Sequence, residues 1–350
     1  MSTTPPAPEA QTPHQPTPGE HILQLATGYI ASISIYIAAN LGIADLLAGG
    51  PKPVSDLAAA TGSHEDRLYR VLRALASVGV FAEVAPRQFA LTPAGAALRT
   101  GTQDSIHPMA LWISDPFHFR VYAELLHTVK TGEITFDHIY GKPVFEYMPQ
   151  NREESDVFEH AMTWFSNWVV PTVLEAYDFS GVETLLDVAG GRGALIRGIL
   201  KKYPQMKGMA VDLEHVIEAA KQYPENKALG DRCRFQPADF FAAVPNDADA
   251  IIMKSIIHDW DDEPAVKILK NCRKALAGKT NAKVLLVEAV LTPGNDPHLG
   301  KLLDLEMMAM PGGRERTEQE FRKLLAAAGW SLTRVVPTKS PLCVVEGVPA

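Results

Sequence analysis

The chain has 350 residues, of which 46% are hydrophobic, and this length and composition predict about two domains, each with its own core. The formal net charge of −8 argues against a protein whose main partner is nucleic acid or an anionic membrane. The three cysteines, Cys233, Cys272 and Cys343, are widely spaced and odd in number. They predict neither a disulfide framework nor a zinc knuckle, and they fit a reducing cytoplasm.

The chain begins with a Pro- and Thr-rich segment, residues 1–19, which holds no apolar core and is expected to be disordered. No basic stretch precedes an apolar run there, so a signal peptide is not expected. The next segment, residues 22–44, carries no formal charge and is long enough to span a bilayer. Its scattered polar residues and the lack of Lys or Arg near its ends favour instead a helix buried on most sides, in a subunit interface.

Residues from about 50 to 100 have the pattern of two helices followed by a hairpin, which is the order of a winged helix. Pro86 and Arg87 are expected near the hairpin turn. Such a fold often binds DNA, but the second helix mixes its arginines with acidic residues, and phosphate binding requires clustered positive charge. We therefore expect a winged helix used for packing and dimerisation, with a DNA-binding regulator as the alternative.

Residues from about 105 to 175 are aromatic-rich and helical in pattern, and such aromatics either form core or wall a pocket. After them, short apolar strands alternate with helices, which predicts a Rossmann-like, doubly wound, mostly parallel α/β sheet. In such sheets ligands bind at the carboxyl ends of the strands. The predicted domains are a tail at 1–19, a winged-helix domain at 20–104, a helical linker and pocket segment at 105–175, and a ligand-binding α/β domain at 176–350.

The stretch "LLDVAGGRGALI" is a strand that carries Asp187 near its end and then breaks into Gly190, Gly191 and Gly193. A dinucleotide-binding loop needs Gly-x-Gly-x-x-Gly, and Ile196 stands where its third glycine allows close helix packing. Asp187 would also set a carboxylate beside a pyrophosphate. A cationic, phosphate-free ligand such as S-adenosylmethionine fits the acid better, and the glycines let it press against the main chain.

Asp212 ends the next predicted strand, "GMAVD", about 20 residues after Gly193. An acid at this place in the neighbouring strand binds ribose hydroxyls in nucleotide-binding α/β folds. The order of strand, glycine turn, helix, strand and acid therefore predicts a nucleoside site for S-adenosylmethionine.

The chain resembles, from about residue 20 to its end, the class I S-adenosylmethionine-dependent O-methyltransferases of the plant caffeic-acid type and their bacterial natural-product relatives. "DVAGGRG" is similar to the family's Asp-Val-Gly-Gly-Gly-x-Gly, with Ala189 in place of the first glycine, and "ADFF", "MKSIIHDWDDE" and "GGRERTEQEF" are similar to further family motifs. The resemblance implies methyl transfer to a hydroxyl of a small aromatic or polyketide-like secondary metabolite, with S-adenosylhomocysteine as the product. It further implies a cytoplasmic homodimer that joins through the N-terminal domain and binds neither nucleic acid nor membrane.

The glycine loop and the family resemblance together predict three groups of site residues. The donor contacts are Asp187, Ala189, Gly190, Gly191, Gly193, Asp212, Leu213, Asp239, Phe240, Lys254, Trp260 and Ser166. The acceptor pocket is assigned Phe158, Met162, Phe165, Asp259, Met307 and Met310. The catalytic residues are His258, as general base, and Glu288 and Glu315, which orient the histidine or the substrate.

The proposed chemistry requires a proton to leave the acceptor. A phenol with a pKa of about 10 gives its proton to a free histidine with a pKa of about 6.5 at a cost of about 5 kcal/mol. The nearby sulfonium charge and a carboxylate behind the imidazole both lower this cost.

Two other chemistries remain alternatives. Asp259, Asp261 and Asp262 suggest a Mg²⁺ site, but they are adjacent in sequence and Asp262 is expected to cap the next helix, so they cannot all face one ion. We expect a metal-independent enzyme. The second alternative is a relative that keeps the donor site for hydroxylation or decarboxylation.

Overall fold

The computed structural model describes residues 16–102 and 104–350. The chain divides into two compact units, with the boundary between Pro116 and Phe117. That boundary falls inside residues 105–175, which were predicted to form a helical linker and pocket segment. The other predicted domain limits stay predictions.

The first unit is mainly helical and carries a small antiparallel sheet in the order β1-β3-β2. Its elements are α1 (Pro18–Asn40), α2 (Ile43–Leu46), β1 (Lys52–Pro53), α3 (Val54–Thr61), α4 (Glu65–Ser77), β2 (Phe81–Ala85), β3 (Gln88–Leu91), α5 (Pro93–Ala96) and α6 (His107–Ile113). Helices α3 and α4, followed by the β2–β3 hairpin, confirm the predicted order of helix, turn, helix and hairpin. Arg87 lies in the hairpin turn with a φ of 60°.

The predicted disordered tail lies outside the described residues as far as position 15. Its last two residues already belong to α1, because Thr17 and Glu20 form a capping box that satisfies the first backbone N–H groups of the helix. By length and composition alone, α1 is apolar enough to cross a membrane. In the single chain, Ile22, Leu25 and Tyr29 of this helix are each more than 60% exposed, so its predicted burial in a subunit interface stays a prediction.

The second unit holds a large sheet with helices around it. Its helices are α7 (Pro116–Ala123), α8 (Leu125–Thr131), α9 (Thr135–Tyr140), α10 (Val144–Tyr147), α11 (Arg152–Ala176), α12 (Ala194–Lys202), α13 (Glu214–Gln222), α14 (Pro224–Lys227), α15 (Asp262–Ala275), α16 (Leu299–Ala309) and α17 (Glu318–Ala327), with 3₁₀ turns at Met148–Gln150, Gly230–Arg232 and Ile257–Asp259. Its strands are β4 (Thr184–Val188), β5 (Lys207–Asp212), β6 (Cys233–Pro237), β7 (Ala250–Lys254), β8 (Lys283–Leu291), β9 (Arg316–Thr317), β10 (Trp330–Pro337) and β11 (Leu342–Pro349).

The strands of the second unit are ordered β10-β11-β8-β7-β4-β5-β6, and β9 pairs with β8. The pairs among β6, β5, β4, β7 and β8 are parallel, whereas β11 runs antiparallel to both β8 and β10. The prediction of a mostly parallel sheet is confirmed.

Helices cover both faces of this sheet. Successive strand residues point to opposite faces, and Leu186 and Ile251 pack in one buried cluster with side chains of α15 and α17. Leu185 and Ile252 pack in a second cluster with side chains of α11 and α12. The doubly wound arrangement leaves the carboxyl edge of the parallel strands available for a site.

Candidate functional site

The parallel strands bring four predicted site residues to one edge of the sheet. Asp187 lies near the carboxyl end of β4, Asp212 and Lys254 end β5 and β7, and Glu288 lies towards the end of β8. Because β5, β4, β7 and β8 are neighbours in that order, their parallel carboxyl ends form one continuous rim.

The loop after β4 has a backbone that only small residues tolerate. Ala189, Gly191 and Gly193 adopt positive φ values of 54°, 55° and 75°. A Cβ on Gly190 would lie 2.9 Å from the carboxyl carbon of Asp187. Ala189, the departure from the family pattern, therefore keeps the left-handed conformation, at a cost of about 1–2 kcal/mol relative to glycine.

Asp187 lies directly beneath this loop and is 1% exposed. Its Oδ2 has no hydrogen-bond partner among the described residues. Burial raises the pKa of Asp187 to about 7, although the charge of Lys254 works against this rise. An orphaned carboxylate oxygen of this kind suits a ligand that brings positive charge, and S-adenosylmethionine fits that requirement.

Asp212 holds the loop from the neighbouring strand. Its Oδ2 accepts the Gly191 N–H at 2.9 Å, and its Oδ1 accepts the Leu213 N–H at 2.7 Å. The Leu213 side chain is 53% exposed. The carboxylate is thereby fixed next to the glycine turn, and its contact with a ribose stays a prediction.

The residues expected near the adenine lie together beyond β6. Asp239 accepts the Phe241 N–H at 2.8 Å, and the Trp260 ring lies 6.2 Å from the Phe240 ring and 4.7 Å from the Phe241 ring, nearly perpendicular to both. The edge-to-face contact with Phe241, which the sequence analysis did not single out, fixes the orientation of Trp260. Adenine binding here stays a prediction.

A salt bridge to α11 also restrains the glycine loop. Arg192 donates to the Glu159 carboxylate, and its guanidinium lies 5.6 Å from the Tyr223 ring centre. We expect Glu159→Gln to loosen the loop and to raise the Kd for S-adenosylmethionine by up to about fivefold, the usual scale for a partly exposed ion pair. Asp156→Asn, which removes an exposed i,i+4 partner of Arg152 on the same helix, is the matched control. Equal Kd values for both variants, measured by calorimetry, would contradict a role for the bridge.

His258 lies in the 3₁₀ turn that follows β7 and is surrounded by three carboxylates. Its Nδ1 donates to Glu315 Oε1 at 2.7 Å and lies 3.9 Å from Glu288 Oε2, while its Nε2 lies 3.5 Å from Asp259 Oδ1. Because Glu315 engages Nδ1, the remaining nitrogen, Nε2, is the one left to exchange a proton with a ligand.

Glu288 is fully buried on β8 and supports the turn that carries His258. Its Oε1 accepts the N–H groups of Ile256 at 3.0 Å and Ile257 at 2.8 Å. Its Oε2 and the Oε2 of Glu315 have no hydrogen-bond partner in the described part of the chain. These buried negative oxygens stabilise a positive imidazolium between them.

The charges around His258 determine its protonation. Burial alone would lower the pKa of His258, but the charges of Glu288 and Asp259 and the hydrogen bond to Glu315 outweigh burial and hold the pKa well above that of a free histidine. Burial raises the pKa of Asp259 to about 7 despite the neighbouring imidazole. Burial also lowers the pKa of Lys254, and Asp187 and Glu288 offset part of that effect. Lys254 is thus coupled both to Asp187 below the glycine loop and to the His258 carboxylates.

Two residues that the sequence analysis missed hold the Glu315 segment against His258. Arg316, 1% exposed, donates to the carbonyls of Ile257 at 3.1 Å and Trp260 at 2.9 Å. A Cβ on Gly313 would lie 2.0 Å from the His258 carbonyl oxygen, so only glycine permits this approach. Both residues lie in "GGRERT", the motif already singled out for Glu315. The two consecutive glycines were an available signal for Gly313, whereas no local pattern marks Arg316 as buried.

The predicted cap at Asp262 is wrong by one residue. Asp261 is the N-cap of α15 and accepts the N–H of Asp262, while the Asp262 carboxylate accepts from Arg316 Nη2 at 2.8 Å. The buried guanidinium attracts Asp262 more strongly than an exposed helix end does, which leaves the cap to its neighbour. Asp259, Asp261 and Asp262 therefore have separate partners.

The residues assigned to the acceptor pocket lie on α11, on α16 and after it, and next to His258. Phe158, Met162 and Phe165 are partly buried on α11, and Met307 and Met310 are buried at the end of α16. Lys254 Nζ lies 5.5 Å from the Phe165 ring centre, which connects α11 with the strand rim. The Ser166 hydroxyl donates to the Met162 carbonyl at 2.8 Å, so any contact with the donor uses its oxygen as an acceptor.

Comparison with known proteins matches both units of the chain. Residues 23–101 match the O-methyltransferase dimerisation domain, and residues 122–331 match the O-methyltransferase domain. The phenazine O-methyltransferase PhzM of Lysobacter antibioticus is 43% identical over 94% of this chain and 95% of its own length.

Two solved structures are similar over nearly the whole chain. The crystal structure of LaPhzM has a TM-score of 0.89 and 43% identity, covering 95% of this chain and 99% of its own. The O-methyltransferase NcsB1 from neocarzinostatin biosynthesis, crystallised with S-adenosylmethionine and 2-hydroxy-5-methyl naphthoic acid, has a TM-score of 0.80 and 28% identity, covering 92% of this chain and 96% of its own.

Proposed function

The chain belongs to the S-adenosylmethionine-dependent O-methyltransferases, and from that premise we propose that it methylates a hydroxyl of a small aromatic or polyketide-like metabolite with His258 as general base. The observation that carries the proposal is the buried His258, whose Nδ1 donates to Glu315 Oε1 at 2.7 Å, in the turn after the strand β7 that neighbours β4 and its glycine loop. The aromatic compounds named for two similar proteins, a phenazine in the name of one and a naphthoic acid bound in the structure of the other, support this class of substrate.

The glycine loop, Asp187 and Asp212 hold the donor in this proposal, with Asp239, Phe240 and Trp260 beside its adenine. S-adenosylmethionine supplies a methyl group on a positively charged sulfur. The side chains assigned to the acceptor pocket, Phe158, Met162, Phe165, Met307 and Met310, exclude water and set the acceptor oxygen in line with that methyl group.

In its neutral form, which becomes more populated as pH rises, His258 accepts the proton of the acceptor hydroxyl at Nε2, and Glu315 keeps the imidazole ring oriented through Nδ1. The raised pKa of His258 brings it closer to that of a phenol, which reduces the uphill cost estimated from a free histidine. Glu288 and Asp259 stabilise the resulting imidazolium.

The test is a set of aromatic hydroxyl compounds incubated with the full-length protein and methyl-labelled donor, read by product mass. We expect a gain of one methyl group on oxygen for at least one phenolic compound. A product that gains an oxygen or loses carbon dioxide instead would support the hydroxylase or decarboxylase alternative.

Donor binding should release a proton below neutral pH. The pKa of Asp187 is raised to about 7, so near pH 6 the carboxyl is largely protonated, and an adjacent cation favours its ionised form. Donor affinity should therefore rise with pH and level off above about pH 7. Calorimetry in two buffers of different ionisation enthalpy measures the released proton. Asp187→Asn should abolish the release, and a proton count of zero for the unmodified protein would contradict the assignment.

Methyl transfer should not depend on a metal ion. His258, Glu288 and Glu315 lie close enough to ligate a cation, but all three are buried, and Glu288 Oε1 already accepts two backbone N–H groups. The proposed reaction also needs the imidazole as a base. We expect dialysis against a chelator to leave kcat within about twofold, with Mg²⁺ adding nothing, as for a reaction governed by positioning and general base catalysis. Activity that is lost and then restored by Mg²⁺ would argue for the metal-assisted alternative.

The proposal includes a cytoplasmic homodimer that forms through the first unit and binds neither nucleic acid nor membrane. The match of residues 23–101 to a dimerisation domain and the exposed apolar side chains of α1 support it. Light scattering at micromolar concentration should give twice the chain mass of 38.1 kDa, and a monomer would refute the homodimer.

A further inference from the structure

Two histidines of the second unit lie face to face outside the residues assigned to methyl transfer. The His127 and His138 rings are stacked, with centres 3.8 Å apart and planes at 14°. His127 Nε2 lies 2.9 Å from Glu133 Oε2, and His138 Nε2 lies 3.6 Å from Glu124 Oε2. We call these four residues the His127 cluster, and we propose that it binds a zinc ion between α8 and α9.

The possible zinc ligand atoms lie close to one another. One nitrogen or oxygen from each of His127, Glu133 and His138 lies within 4.8 Å of the others. Zinc bonds to nitrogen and oxygen measure about 2.0–2.2 Å, so tetrahedral ligand atoms lie about 3.3 Å apart. Because an imidazole binds a metal in its own ring plane, the two partly exposed rings must turn out of their stacked arrangement to reach that spacing. Glu124 Oε2, 3.6 Å from His138 Nε2, is a further oxygen beside them.

The turn between the two helices is held rigid by its own hydrogen bonds. Gly132 ends α8 in the left-handed conformation, and the Thr128 hydroxyl donates to the Glu133 carbonyl at 2.7 Å. The Glu133 N–H donates to the Thr131 hydroxyl at 3.1 Å. His127, Glu133 and His138 are therefore held near one another before any ion arrives, which limits the entropy lost on binding.

The charge and chemistry of the cluster select a divalent transition metal. Two neutral imidazoles and two carboxylates carry a net charge of −2, which one divalent cation neutralises. Imidazole favours zinc, whereas Mg²⁺ prefers an octahedral shell of oxygens. The His127 and His138 side chains are 24% and 43% exposed, so an ion can enter from solvent.

The experiment is a calorimetric titration of Zn²⁺ into tag-free, chelator-treated full-length protein. We expect saturable binding that His127→Gln and His138→Gln each weaken by at least about tenfold, because each removes a direct ligand. His160→Gln is the matched control, since that exposed histidine donates from Nδ1 to the Asp156 carbonyl of its own helix, and the substitution should leave binding unchanged. Excess Mg²⁺ should not compete.

Folding and location are checked separately. Glu133→Gln changes a side chain that is 69% exposed, so it should weaken binding without altering the melting temperature of the metal-free protein. Co²⁺ in place of Zn²⁺ should give the visible absorption of a tetrahedral site, lost in the histidine variants. The absence of saturable Zn²⁺ binding would overturn the proposal. Binding that His127→Gln and His138→Gln leave unchanged would also overturn it, because the ion would then be held by other ligands such as His258 with Glu288 and Glu315.

Discussion

Replacing His258 with alanine is expected to lower methyl transfer by about 10²–10⁴-fold, the range for loss of a general base. This corresponds to about 3–5 kcal/mol of transition-state stabilisation. The acceptor then keeps its proton, and Glu288 and Glu315 are left as buried carboxylates with no cation between them. The Kd for S-adenosylmethionine should change little, because the glycine loop and Asp212 lie on other strands. Single-turnover rates and calorimetric donor affinities measure the two effects separately.

The matched control is His160→Ala, an exposed histidine on α11, which should retain activity. The pH profile adds a second readout. The pKa of His258 is raised, so the imidazole is protonated near neutral pH and kcat/KM should increase with pH as that proton is lost. His258→Ala should remove this increase. Turnover within a few-fold of the unmodified enzyme, with an unchanged pH profile, would exclude His258 as the base.

Replacing Gly313 with alanine is expected to impair both activity and folding. The new Cβ would lie 2.0 Å from the His258 carbonyl oxygen and 2.3 Å from the Asp259 carbonyl carbon, so backbone atoms must move. A displacement of about 1 Å in the segment that carries Glu315 costs about 10²-fold in rate, and overpacking of this kind costs about 1–3 kcal/mol in stability. Steady-state kinetics and denaturant unfolding measure the two losses.

Gly181→Ala is the matched control, because no atom of the described residues beyond its two chain neighbours lies within 4 Å of the position where its Cβ would stand. It should leave rate and stability nearly unchanged. If Gly313→Ala keeps the activity and the unfolding free energy of the unmodified protein, the loop can move without disturbing His258. That result would contradict the role of Gly313 in positioning Glu315.

The strands of the sheet and the glycine loop could be predicted from the sequence because they depend on local patterns of residues. Runs such as "TLLDV" and "DAIIMK" are apolar on both faces, as strands buried between helix layers must be. The break into glycines after Asp187 directly encodes the positive φ values of the loop. The helix-turn-helix and hairpin of the first unit followed from turn residues in the same way.

Contacts between residues far apart in the sequence could not be predicted from local patterns. Arg316 reaches the carbonyls of Ile257 and Trp260 across the fold, and Asp262 leaves its predicted capping role for that guanidinium. The predicted burial of α1 in a subunit interface is likewise a long-range property, because the apolar side chains of this helix are exposed in the single chain. A hydropathy pattern predicts that apolar side chains are buried, but it does not identify the chain or molecule that buries them.

The central claim is that the donor binds at the glycine loop with its methyl group directed towards an oxygen beside His258. A crystal structure of the full-length protein with S-adenosylhomocysteine and a phenolic acceptor tests this most directly. The account predicts the ribose hydroxyls on Asp212, the sulfur above the rim between Asp187 and Lys254, and the acceptor oxygen within hydrogen-bonding distance of His258 Nε2. A nucleoside bound away from Gly190–Gly193, or an acceptor oxygen remote from that imidazole, would contradict it.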